Sequence, residues 1–147
     1  MTFKNILVAV DESPQAAVGI DLAIDLAKTL KSRITLVHAL DPATLATSAD
    51  DAGSTSVMEI ELDELQAAGK ALVETTAERV RAAGLEVEAI VRDGVPAQVI
   101  LDSAMRSNCD LIVMGTHGRH GIERFFLGSC AEAVLRESPI PVLVKRS

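Results

Sequence analysis

The stretch "GTHGRHGIERFFLGS", residues 115 to 129, gathers four glycines, two histidines and two arginines in a chain of 147 residues whose net charge is -7. That combination suits an anion. Gly115 ends an apolar run and lets backbone pass close to a ligand, while Gly118 and Gly121 supply the positive φ that turns successive amides inward as an anion-binding nest. His117, Arg119, His120 and Arg124 add charge between them. Gly128 then precedes Ser129, Cys130, Ala131 and Glu132, and Ser-x-x-Glu is the pattern of a capping box at a helix start. Free amides at such a start, together with the helix dipole, form a second anion-binding element. The stretch is therefore expected to hold a polyphosphate.

Each of these features also has a plainer structural reading. Gly115 can simply end a strand, Gly118 can serve a turn, and Ser129 can be only a cap. Asp11, just past the first apolar run, is either a ligand contact or a loop residue ahead of Ser13. His38 reads as a satisfied core histidine, and Cys130 as a small packing residue rather than a thiol of lowered pKa. Cys109 and Cys130 form no Cys-x-x-Cys pair and lie in no zinc-ligand spacing, so both read as reduced thiols. Two better-known phosphate signatures are missing. The chain has no Gly-x-x-x-x-Gly-Lys-Ser/Thr, and "DESPQAA" follows the first strand in place of Gly-x-Gly-x-x-Gly.

The elements that must position these residues alternate. "KNILVAV" (4–10) is a continuous apolar run, as a strand covered on both faces requires. Ser13 is a natural N-cap and Pro14 fits the first helical position. Ile20, Ala23, Ile24, Ala27 and Leu30 then fall on one helical face. "RITLVHAL" (33–40) reads as the second strand, and residues 41–56 as an acidic, small-residue loop. A long helix follows from Met58 to about Ala83, with Gly84 placed to stop it. "LEVEAIV" (85–91) is the third strand, "PAQVILDSAMRS" (96–107) the third helix, and "CDLIVMG" (109–115) the fourth strand. "SCAEAVLRES" (129–138) and "IPVLVKR" (140–146) supply the last helix and strand.

Five strands alternating with helices, joined by right-handed crossovers, make an open parallel sheet with helices on both faces. Ligands of such sheets bind beyond the carboxyl ends of the strands, where the strand order reverses. If the first and fourth strands are neighbours, Asp11 and the glycine stretch face one crevice. Pro139 and Pro141 bracket the start of the last strand, and proline cannot donate to a ladder, so that strand belongs at a sheet edge. Its aliphatic "VLV" invites pairing with a second copy.

Length and composition set the outer bounds. A chain of 147 residues supports one domain, 1–147, and its core must be aliphatic, since only three residues are aromatic. The acidic balance argues against a nucleic-acid partner, which needs a cationic surface. No segment reaches the length of a membrane span or a signal h-region, which points to a cytoplasmic protein.

With "GTHG", nine residues, then "GS", the chain resembles the ATP-binding branch of the universal stress protein family, whose pattern is Gly-x2-Gly-x9-Gly-Ser/Thr. "ILVAVDES", "LVHAL", "DLIVMGTHGR", "FLGS" and "PVLVKR" resemble that family in the same order, so the likeness spans nearly the whole chain. It implies an α/β fold of the adenine nucleotide alpha hydrolase-like kind: a three-layer open parallel five-stranded sheet of order 3-2-1-4-5. It further implies a homodimer joined through the last strand, and an adenine nucleotide (ATP, AMP or ADP) between strands one and four, with Mg²⁺ beside the phosphates. Carried over by position, the backbones of Ala9 and Ala39 would border adenine with Met114 near it, and Asp11 would sit near ribose and phosphates. Gly115, His117, Gly118 and Arg119 would approach ribose and phosphate, and Gly128, Ser129 and Cys130 would close on the phosphates. Ala39 stands where larger aliphatics are frequent, and Phe125 and Phe126 replace a usually aliphatic stretch.

Two functions follow from that resemblance. One is a nucleotide-dependent stress-response module with at most slow hydrolysis. The other is a weak ATPase or self-phosphorylating enzyme, which needs a placed base and a second charge clamp. Spacing pairs none of His117, His120 or the arginines with an orienting carboxylate, which favours binding. A phospho-acceptor receiver domain is a third reading, with Asp11 and Glu12 after strand one, Asp93 after strand three and Lys145 after the last strand.

Overall fold

The computed structural model describes residues 2–41, 55–116 and 128–146. The elements run β1 (Asn5–Ala9), α1 (Pro14–Leu30), β2 (Arg33–Leu40), α2 (Thr55–Ala82), β3 (Val87–Asp93), α3 (Pro96–Arg106), β4 (Leu111–Thr116), α4 (Ser129–Glu137) and β5 (Val142–Arg146). The five strands form one parallel sheet of order β3-β2-β1-β4-β5.

Alternation within the central strands β1 and β4 explains why their apolar runs are unbroken. Ile6 and Val8 of β1 and Leu111 and Val113 of β4 pack with Ile20, Ile24, Val73 and Val80 of α1 and α2. Leu7, Ile112 and Met114 point the other way, against Ile100 and Ala104 of α3 and Ala131 and Val134 of α4. The sheet is thus the middle of three layers. Each fully buried aliphatic side chain contributes roughly 1.5–3 kcal/mol, so the central strands β1 and β4 anchor the fold.

The order reverses between β1 and β4, which pair directly, with Ile6 opposite Leu111 and Val8 opposite Val113. The adjacency assumed from fold type is therefore present. β5 lies at one edge, in agreement with the two prolines beside it. β3 lies at the other edge, so β2 separates Asp93 from β1. That placement removes the receiver-domain reading, whose sheet order is 2-1-3-4-5.

Boundaries shift for identifiable reasons. α2 starts at Thr55, so the end of the expected 41–56 loop is helical, while residues 42–54 lie outside the described residues. β3 begins at Val87 rather than Leu85, because the amides of Gly84 and Leu85 are spent on Arg81 O and Val80 O in closing α2. Gly84 has φ 83°, the left-handed conformation that ends a helix without steric cost.

The strand ends away from the crevice are held by a polar network. Asp110 accepts from the amides of Lys4 and Asn5 at 2.7 and 3.0 Å, and Thr35 donates to Asn5 Oδ1 at 2.9 Å. The opposite ends are left to the cleft. Among the described residues no helix is long and apolar enough to cross a membrane.

Candidate functional site

The site is built at the carboxyl ends of β1 and β4. Just past β1 the Val10 amide still donates to Val37 O at 2.7 Å, and the chain then leaves the sheet at Asp11. Asp11 Oδ1 accepts from Ser13 N at 2.6 Å, and Ser13 Oγ accepts from Ala16 N at 3.2 Å. These two bonds fix the corner between β1 and α1 and cap α1 at Ser13, as its sequence predicts.

A cleft opens over this corner. Ala9, Val10 and Asp11 of the β1 end and Met114, Gly115 and Thr116 of β4 border its base. Val37, His38 and Ala39 of β2, with Pro96 and Ile100 of α3, form a largely apolar side. Gly128, Ser129, Cys130 and Ala131 close the other side at the start of α4. Of the residues singled out in the sequence, Ala9, Asp11, Ala39, Met114, Gly115, Gly128, Ser129 and Cys130 thus border one cavity. His117, Gly118 and Arg119 lie outside the described residues, as do Gly121, His120 and Arg124.

The start of α4 differs from the capping box expected there. Gly128 is the N-cap, with φ 82° and ψ 147°, and no side chain caps the helix. Ser129 is therefore the first helical residue, and Glu132 moves to the fourth position, where its amide donates to Gly128 O at 3.0 Å. Its carboxylate accepts from Arg136 Nη2 at 2.5 Å instead of reaching back. The amides of Gly128, Ser129, Cys130 and Ala131 are the four with no intrahelical acceptor. All four residues border the cleft.

Gly115 also has a packing reason to be glycine. A Cβ there would stand 1.7 Å from the Gln15 carbonyl oxygen and 2.6 Å from its carbon. Gly19 repeats the pattern from the helix side, where a Cβ would stand 2.9 Å from Gly115 N. The first turns of α1 lie directly on β4, and this contact sets the height of the cleft base.

His38 is held as a structural histidine. Its Nδ1 lies 2.7 Å from Val10 O, and a carbonyl can only accept, so Nδ1 carries the proton. Gly69 of α2 gives the ring room, since a Cβ there would sit 2.9 Å from His38 Cδ2. The Cys130 thiol has its pKa pushed up, first by burial and then by the negative charge of Asp11 across the cleft. It is a packing residue and not an activated thiol.

Sequence reasoning passed over Gln15. It is 7% exposed, borders the cleft, and its Oε1 has no hydrogen-bond partner among the described residues. A buried carbonyl oxygen left so costs about 1–3 kcal/mol. Gly19 and Gly69 were also passed over. Their signal was present, because each is a glycine inside a helical pattern, where it costs about 1 kcal/mol relative to alanine and needs a packing reason.

Comparison with known proteins agrees with the fold. The chain matches the Universal stress protein family over residues 2–146. It is 32% identical over 148 residues to the universal stress protein YxiE of Bacillus subtilis, covering 98% of this chain and 99% of that one. It is 36% identical over 149 residues to the putative universal stress protein SH1215 of Staphylococcus haemolyticus, covering 100% and 87%. Among solved structures, the hypothetical protein MJ0577 superposes with a TM-score of 0.81 at 24% identity, covering 100% of this chain and 98% of that one. A universal stress protein in complex with cAMP gives 0.71 at 23%, covering 98% and 97%. The universal stress protein from Archaeoglobus fulgidus in complex with dAMP gives 0.61 at 23%, covering 98% of each chain. With its sheet order, its cleft and these relatives all in agreement, the chain belongs to the universal stress protein family.

Proposed function

We propose that residues 1–147 act as one cytoplasmic adenine-nucleotide-binding module, with ATP, ADP or AMP as ligand and at most slow hydrolysis. The observation that carries this reading is the start of α4, where four amides without intrahelical acceptors border the same cleft as the reversed strand ends. The cleft fits the parts of such a ligand. Its apolar side, between Val37, Ala39 and Ile100, suits a flat base, and the α4 start suits phosphate oxygens. Asp11 lies between them and, as an acceptor, suits sugar hydroxyls. The cAMP and dAMP complexes of two structural neighbours support the same ligand class.

Mg²⁺ fits this site only as an ion brought in by the phosphates. Among the described residues no group of three histidine, cysteine or acidic side chains could hold a metal. Mg²⁺ bound to nucleotides commonly takes one or two carboxylates together with phosphate oxygens and waters. Asp11 is the carboxylate bordering the cleft, with Oδ1 already accepting from Ser13 N.

The dimer belongs to the same proposal. β5 is an edge strand on which Leu143 is 38% exposed and Val142 and Val144 are half-buried, and a second copy of the strand would cover them.

The test is to denature freshly purified protein, identify any released nucleotide by mass spectrometry, and titrate the emptied protein with ATP by calorimetry. An adenine nucleotide released at near one per chain, or saturable ATP uptake at millimolar concentration or below, is expected. Absence of both overturns the reading.

A further inference from the structure

Gln15, which borders the cleft, carries a buried side-chain oxygen that has no hydrogen-bond partner among the described residues. It is the second residue of α1, its backbone carbonyl is wedged against Gly115, and its side chain is more than nine-tenths buried. Two other polar side chains at the β1–α1 corner have partners. Asp11 accepts from Ser13, and Ser13 accepts from Ala16, but among the described residues nothing donates to Gln15 Oε1. A buried acceptor in that condition calls for a donor, and a ligand in the cleft that Gln15 borders can bring one.

Two groups left without partners inside the fold face each other across the cleft. The amides without intrahelical acceptors gather at the start of α4, while Asp11 and Gln15, whose Oε1 is unpaired among the described residues, lie on the β1–α1 side. A ligand fitting both must present acceptors to one side and donors to the other. Resting on the adenine-nucleotide reading above, this selects among the ligand's own groups. Phosphate oxygens offer no proton near neutral pH. The exocyclic amine belongs to the base, which the apolar side between β2 and α3 suits. The remaining donors are the sugar hydroxyls, which lie between base and phosphates and so above the ends of β1 and β4.

We infer that Gln15 is a specificity-determining residue that accepts a hydrogen bond from a ribose hydroxyl of the bound nucleotide and thereby selects ribonucleotides over deoxynucleotides. The terminal torsion of glutamine is broad, so the carboxamide turns toward the ligand without leaving a rotamer well. Binding then relieves the unpaired oxygen. Selectivity arises because an analogue lacking the hydroxyl leaves that oxygen unpaired in the complex, which is the situation in which sites discriminate most strongly.

The experiment compares AMP, 2′-deoxy-AMP and 3′-deoxy-AMP by calorimetry on the wild-type chain and on Gln15→Met, Gln15→Leu and Gln15→Glu. Wild type is expected to bind AMP about tenfold more tightly than at least one of the deoxy analogues, the loss of roughly one hydrogen bond. Methionine and leucine have no acceptor of comparable strength, and both variants are expected to bind the three ligands within about twofold of one another. Gln15→Glu keeps an acceptor oxygen and is expected to keep the preference. Because the readout is a ratio within one protein, a general weakening of the cleft cancels, and either apolar variant suffices if the other does not fold. Equal affinities in wild type, or an undiminished preference in the apolar variants, overturns the role of Gln15 and leaves nucleotide binding standing. Binding of none of the three by wild type, and no uptake of ATP, overturns the nucleotide reading itself and this inference with it.

Discussion

The carbonyl oxygen of Gln15 occupies the space that a side chain on Gly115 would need, 1.7 Å from the position of its Cβ. Backbone meets backbone there, so neither partner can give way by a rotamer change. The first prediction follows directly. Gly115→Ala lifts the start of α1 off β4, and its urea midpoint is expected to fall by the equivalent of about 3 kcal/mol, at the upper end of what overpacking costs. An unchanged midpoint would show that the two elements are not in this contact.

Gly69 and His38 make a second close pair, in which the obstacle is a ring and not backbone. In the wild-type background Gly69→Ala pushes on the ring and strains its bond to Val10 O, so stability is expected to fall. In a His38→Ala background the same change gains helix propensity and is expected to stabilise by about 1 kcal/mol. Denaturation of the four proteins of the cycle checks the reversal of sign, and additive effects would contradict it.

The raised pKa of Cys130 has a kinetic and a thermodynamic consequence. In a Cys109→Ser background, alkylation by iodoacetamide is expected to be slow at neutral pH and to rise only above the ordinary thiol value of 9.0. Asp11→Asn removes one of the two causes and is expected to move the rate profile to lower pH. Because the folded state holds its proton more tightly than the unfolded state, this thiol's contribution is complete below pH 9.0 and is lost as pH rises through the folded value. A profile at or below that of a free thiol would contradict the burial described for it.

The edge strand gives a fourth prediction. If β5 pairs with a second copy, Leu143→Lys places a charge on the shared face, and light scattering is expected to change from a dimer mass to a monomer mass at micromolar concentration. A wild-type monomer, or a variant that remains dimeric, would count against pairing through this strand.

The elements were legible in the sequence where one physical signal acted alone. Ser13 and Pro14 fixed the start of α1, Gly84 fixed the end of α2, and the unbroken apolar runs of β1 and β4 marked strands covered on both faces. The prolines around Ile140 placed β5 at an edge. Legibility failed where two readings share one pattern. Ser-x-x-Glu at 129–132 is a capping box by type, but the positive φ of Gly128 starts the helix one residue earlier and leaves Ser129 uncapping. Gly115 was read for ligand approach or a strand end, and its second constraint, the Gln15 carbonyl where a Cβ would sit, was not visible. No periodicity could have shown that contact, because it joins residues a hundred positions apart through the β1–β4 pairing. The same distance hid Gln15 itself, whose burial depends on elements far along the chain.

Phosphate capture by the first turn of α4 is tested most directly by amide resonances. In a two-dimensional ¹⁵N–¹H titration with ATP, the signals of Gly128, Ser129, Cys130 and Ala131 are expected to move together, saturably, and in slow or intermediate exchange if binding is tight. Adenosine, which has the base and sugar but no phosphate, is expected to move signals near Val37 and Ala39 while leaving those four largely in place. ATP that shifts other regions and leaves the α4 amides still would contradict the proposal at its foundation.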